Sequence, residues 1–257
     1  MMQHFRVADG TQLAYEESGA GLPAVLFVHG WQADRSVWAE LIDALDADVR
    51  TVAVDLRGGG ESRDASKPYA LERFAADLRE LVESLGIGPA IVVGHSMGGT
   101  VALRFALDAP ELTRGLVLIS PVPASGGGYS PKGEAYLRST VGDPDAARAW
   151  LARTFAETPD EAMLDRICAA AARADRDASL ESFESWAHAD FADATRSITA
   201  PGLVIAPQHD VPDMYERKVA ALLPNARLVV LPECGHYAIL ERPREIAELI
   251  RRFCDGL

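Results

Sequence analysis

The chain has 257 residues, 48% hydrophobic and 25% charged, which suits one large α/β domain or two small ones with a substantial core. Its formal charge of −13 argues against nucleic acid or an anionic membrane surface as partner. The opening "MMQHFRVADG" lacks an apolar signal core, no run reaches membrane-span length, and Cys168, Cys234 and Cys254 are too scattered for a disulfide framework or zinc site. The expectation is a cytoplasmic protein with no cofactor and no metal.

In chain order, Phe5 and Val7 alternate, Asp9-Gly10 signals a turn, and Leu13 and Tyr15 alternate again, which predicts a hairpin. Apolar runs rich in β-branched residues follow at 24–28, 50–55, 90–94, 115–120, 202–207 and 226–232. Continuous apolarity is what strands buried on both faces show. Helical stripes lie between them. "YALERFAADLRELVESLG" places Leu71, Phe74, Ala75, Leu78, Leu81, Val82 and Leu85 on one face and stops at Gly86, and "PREIAELIRRF" repeats the pattern after a proline. Strands alternating with such helices predict a mostly parallel sheet covered on both faces.

Residues 121–198 break the rhythm. They hold no strand-like run, open with the flexible "SPVPASGGGYSP", and offer helix starts at Asp143-Pro144, Thr158-Pro159-Asp160-Glu161 and Asp177. They are read as a helical insertion, with 1–120 and 199–257 forming the core domain. A disordered linker is the competing reading, and Trp150, Phe155, Phe183 and Trp186 argue for packing. Those aromatics fit either an insertion core or a substrate pocket, and core is preferred.

Gly94-His95-Ser96-Met97-Gly98 fits G-x-S-x-G between the strand at 90–94 and the helical "TVALRFAL". A serine on such a turn is thrust above the sheet, and side chains at the flanking glycines would collide with the adjacent strand or helix. The helix N-terminus also aims free N–H groups at developing negative charge. A serine needs a base. Of the six histidines, His4 falls in the hairpin, His188 in the insertion, His95 in the turn itself, and His29 and His209 at other strand ends. His236 in "PECGHYAILERP" follows the last strand, and Gly235 leaves its imidazole room to swing inward. Asp210 in "APQHDVPDMY" is the carboxylate expected to orient it, with Asp213 the nearby rival.

Together, "VLFVHGW" (25–31), "VDLRGGGES" (54–62), "VVGHSMGG" (92–99), "PGLVIAPQHD" (201–210) and "LPECGHYAILERP" (231–243) resemble the α/β-hydrolase superfamily. Within it the likeness is to the capped single-chain esterase, lactonase and cofactor-free haloperoxidase group. That resemblance implies an eight-stranded, mostly parallel sheet with helices on both faces and a helical cap. It carries the nucleophile to Ser96, the acid to Asp210 and the base to His236, and places the oxyanion hole at the backbone N–H groups of Trp31 and Met97. His29-Gly30-Trp31 becomes the loop holding that donor, and a candidate part of the substrate pocket. Asp55, Arg57 and Ser62 take a structural role. Gly59 departs from the family's usual histidine, which would loosen or enlarge the pocket wall, and Pro207 and Pro212 change the acid loop. Ser120 stands where some relatives keep their acid, which favours Asp210.

The implied activity is hydrolysis of carboxylic esters or lactones, with a small ester-like molecule as partner. C–C bond hydrolysis, perhydrolysis or elimination by the same residues is the first alternative. A ligand receptor on this scaffold is the second. Dehalogenase and epoxide hydrolase chemistry is disfavoured, because those relatives use aspartate where Ser96 stands.

Overall fold

A computed structural model describes residues 1–45, 47–210 and 214–257. Asp213 and Pro212, named above, lie outside the described residues. Eight strands form one sheet: β1 (Met2–Arg6), β2 (Gln12–Ser18), β3 (Val25–Val28), β4 (Thr51–Val54), β5 (Ala90–His95), β6 (Thr113–Ile119), β7 (Gly202–Pro207) and β8 (Ala226–Leu231). Their order is β1-β2-β4-β3-β5-β6-β7-β8. The β1–β2 hairpin is antiparallel and β2 pairs antiparallel with β4, while every later pairing is parallel.

The helices are α1 (Ala39–Asp43), α2 (Leu71–Leu85), α3 (Met97–Asp108), α4 (Pro131–Ser139), α5 (Pro144–Ala152), α6 (Glu161–Arg173), α7 (Arg176–Ala187), α8 (Met214–Leu222), α9 (Ala238–Glu241) and α10 (Pro243–Asp255). The strand side chains alternate between two cores, as a period of two requires. Leu26, Val28, Val92, Leu116 and Val204 join α2 and α3 on one face. Val25, Phe27, Val93, Val117 and Ile205 join α1, α9 and α10 on the other. Both faces being covered explains why these strands read as unbroken apolar runs.

Helices α4 to α7 occupy the stretch between β6 and β7 where the sequence predicts an insertion. Asp143 and Asp160 cap α5 and α6 by accepting backbone N–H bonds from the first turn. The start expected at Asp177 is corrected: α7 begins at Arg176, and Asp175 caps it by accepting from Ala178 N. A second aspartate two residues on sits in the first turn, where negative charge also suits the helix dipole, so composition alone does not separate the two. Among the described residues no helix is long and apolar enough to cross a membrane.

Candidate active site

Ser96 joins β5 directly to α3 with φ 55° and ψ −123°. A non-glycine residue rarely holds a positive φ, and such strain persists only where the surroundings fix it. Here Ser96 N donates to Ile119 O at 3.1 Å, and its carbonyl accepts from Gly99 N at 2.9 Å and Val122 N at 3.3 Å. The two flanking glycines are needed for close approach. A Cβ on Gly94 would lie 2.3 Å from Gly98 O, and one on Gly98 would lie 2.2 Å from Val28 O. The first clash is with the helix and the second with strand β3, as the sequence reading expects.

The loop after β3 presses on this turn. A Cβ on Gly30 would be 3.1 Å from Ser96 Cβ. His29 braces the loop: Leu56 N–H donates to its Nε2 at 3.0 Å, which leaves the proton on Nδ1 to donate to Gly30 O at 2.8 Å. That is a correction to His29 as a pocket residue, because its ring is buried behind the loop and only Gly30 and Trp31 line the main cavity. His29 borders instead a void of about 30 Å³ beside Gly59. Gly59, without a side chain, therefore borders this void behind the loop after β3 rather than the main cavity. Trp31 is anchored by Nε1 donating to Ser179 O at 2.8 Å and by ring contacts to Trp150, Phe183 and Trp186. Met97 follows Ser96 as the first residue of α3 and is buried.

His236 lies in the loop between β8 and α9. Its Nδ1 is 3.0 Å from both Asp210 Oδ1 and Asp210 Oδ2. With Nδ1–H directed at the carboxylate, Nε2 keeps its lone pair. Burial disfavours the imidazolium, but the Asp210 charge and hydrogen bond outweigh it, and the His236 pKa is raised. Burial likewise works against the Asp210 carboxylate, and the His236 interactions reverse this, so its pKa is lowered. The His236 backbone is pinned as firmly as its ring: N donates to Thr154 O at 2.7 Å, and its carbonyl meets His95 Nε2 at 2.8 Å and accepts from Ser120 Oγ at 3.1 Å. His95 is fully buried, which with His236 nearby pushes its pKa down to about 3 and keeps it neutral.

Gly235 serves a different purpose from the one expected. A Cβ there would lie 2.5 Å from Thr154 O and 2.6 Å from Ala156 N. The glycine admits the backbone that follows α5, not the imidazole.

Ser96, His236 and Asp210 line one cavity of about 400 Å³. Its walls include Trp31, Tyr129, Leu137, Trp150, Trp186 and Tyr215. The insertion aromatics therefore divide: Trp150 and Trp186 border the cavity, while Phe155 and Phe183 are packed in the cores. Ser120 Oγ and the Thr154 carbonyl both hold the His236 backbone. Thr154 contributes a backbone carbonyl, which side-chain identity does not reveal. The residues given structural roles hold them here. Asp55 accepts from Arg35 and from Glu61 N, Ser62 Oγ donates to Asp55 O, and Arg57 is buried between Asp77 and Asp9.

The sheet order, the strained serine turn and the loop histidine define an α/β hydrolase. The sequence pattern of the alpha/beta hydrolase family matches residues 25–249, and the chain belongs to that family. Two relatives match locally. The dihydrolipoyllysine-residue acetyltransferase component of the acetoin cleaving system of Cupriavidus necator is 38% identical over 46% of this chain and 32% of its own length. The soluble epoxide hydrolase of Corynebacterium sp. is 33% identical over 58% of this chain and 54% of its own. The chain thus spans about a third and about half of their lengths. The 2-(acetamidomethylene)succinate hydrolase of Mesorhizobium japonicum is similar nearly end to end, 29% identical over 95% of this chain and 92% of that one. The enol-lactonase of Burkholderia xenovorans LB400 superposes with a TM-score of 0.86 at 26% identity, covering 98% of this chain and 100% of the other.

Proposed function

We propose that this hydrolase cleaves carboxylic esters or lactones through an acyl-enzyme on Ser96. The observation that carries the reading is one cavity shared by a serine on a strained turn and a histidine whose Nδ1 is held by a buried carboxylate. In this mechanism His236 Nε2 takes the Ser96 proton as Oγ attacks the carbonyl, then returns it to the leaving alcohol. Water enters by the same route in reverse and frees the acid. Asp210 orients the imidazole and stabilises its charged form. The N–H groups of Met97 and Trp31 receive the oxyanion, where losing one donor costs about 3 kcal/mol. No step calls for a metal or cofactor.

In the same reading residues 121–198 act as a cap. The aromatic wall they contribute through Trp150 and Trp186 favours an apolar or aromatic acyl or alcohol group. Support for lactone chemistry comes from the likeness to the enol-lactonase. The test is stoichiometric labelling by a fluorophosphonate, together with steady turnover of p-nitrophenyl esters. Label on Ser96 alone and loss of about 10⁴-fold or more in kcat in Ser96→Ala are expected. Label at another serine, or activity surviving in a folded Ser96→Ala protein, would sink the mechanism, and tight binding without turnover would mark a receptor.

A further inference from the structure

Behind Asp210 lies a second carboxyl that the mechanism above does not use. Glu216 is in the first turn of α8 and only 1% exposed. Its carboxyl is within hydrogen-bonding reach of Asp210. Among the described residues its Oε2 is buried with no hydrogen-bond partner. Two touching carboxylates in a buried site do not both stay ionised; one keeps a proton. Asp210 faces the imidazole of His236, which favours its charge. Glu216 is the member that burial, and then the Asp210 charge, push up, to about 8.

We propose that Glu216 is a positioning residue, whose protonated carboxyl donates a hydrogen bond to Asp210 and sets the pH at which His236 becomes a proton acceptor. The proposal rests on the reading of Asp210 and His236 given above. Other groups around α8 do not substitute for Glu216. The helix packs on β7, on β8 and on the turn Asp193–Ser197. Strand β7 carries no titratable side chain, and only beyond its end come His209 and Asp210. Arg227 of β8 is exposed, as are Arg217 and Lys218 of α8 itself, and Asp193 pairs with Arg196 at the surface. Tyr215, beside Glu216, and Tyr129, which meets it, are both buried enough that their pKa values are raised.

At low pH both His236 and Glu216 hold a proton. As pH rises one proton leaves the pair, and the other is then held more firmly by the added negative charge. The two midpoints belong to the pair rather than to either residue. Removing the Glu216 carboxylate leaves His236 to titrate alone, against Asp210 only, and therefore at lower pH.

The experiment uses the full chain as wild type, Glu216→Gln and Glu216→Leu. The His236 imidazole is titrated by NMR from about pH 4 to pH 10, and kcat and KM for p-nitrophenyl acetate are measured over the same range. A two-step His236 titration is expected in wild type, with a single step displaced to lower pH in both variants. Gln can still donate to Asp210 and should rescue kcat relative to Leu, which should lie about tenfold or more below it with KM little changed. An unmoved His236 titration in a folded Gln variant would overturn the proposal. So would equal losses of kcat in both variants with the pH limb unchanged, the mark of a purely structural carboxyl. If Leu does not fold, the Gln titration decides alone. The NMR arm needs no substrate, so it stands even where Ser96→Ala shows that ester hydrolysis is the wrong reaction.

Discussion

Gly235→Ala tests whether the backbone after α5 sets the position of the histidine loop. The added Cβ would sit 2.5 Å from Thr154 O, whereas ordinary contact begins at 3.4 Å, so one segment must retreat by about 0.9 Å. Retreat strains three hydrogen bonds at once: His236 N to Thr154 O at 2.7 Å, Gly235 N to Glu241 Oε1 at 2.9 Å, and Ala156 N to Glu241 Oε2 at 3.2 Å. Displacing a reacting group by about 1 Å costs roughly 10²-fold in rate, and overpacking costs about 1–3 kcal/mol of stability. The expected outcome is kcat/KM lower by about two orders of magnitude with Tm lower by several degrees. Gly86→Ala is the control. It has φ 59° but nothing within 4 Å of its Cβ, so it should lose about 1 kcal/mol through backbone strain and keep its activity. Wild-type kcat/KM in Gly235→Ala, or an equal rate loss in Gly86→Ala, would refute the reasoning.

Asp210→Asn should lower kcat by about 10⁴ by favouring the wrong imidazole tautomer, while Asp213→Asn should stay near wild type; the reverse pattern in single-turnover assays would move the acid along the loop. Activity should rise as pH climbs through the raised His236 pKa, because only the neutral ring accepts the serine proton. The same shift has the opposite sign for stability. Its contribution is fully present below the unfolded value near 6.5 and is lost as pH rises through the folded value, which denaturant titrations of wild type against His236→Gln would detect. Trp150→Ala should cut kcat/KM on long or aromatic acyl esters by about tenfold or more and spare p-nitrophenyl acetate. Equal losses on every ester would separate the insertion from substrate choice.

What could be read from sequence follows from the range over which each cause acts. The serine turn is local. Gly94 and Gly98 are fixed by contacts made within one strand–turn–helix unit and its nearest strand, so the spacing of five residues announces the geometry. Inner strands such as β3 and β7 are legible for a similar reason, since burial on both faces leaves no polar position to blur the pattern. Ser96, Asp210 and His236 could be picked out together because each follows a strand end. Gly235 shows the limit. The glycine stands out in the sequence, but the backbone it admits lies some eighty residues earlier in the chain, and no periodicity reports that approach. Glu216 lies beyond the limit altogether. In "MYERKVAAL" a glutamate at the first turn reads as a solvated residue favouring the helix dipole. Only the packing of α8 on β7 and β8 turns that side chain inward onto Asp210. The same is true of the four insertion aromatics, where composition promises packing and only the tertiary arrangement sends Trp150 and Trp186 to the cavity and Phe155 and Phe183 to the cores. The serine turn and the strand-end loops are therefore written locally. What surrounds them, Trp150 and Trp186 at the cavity and Glu216 behind Asp210, is set by contacts between distant segments.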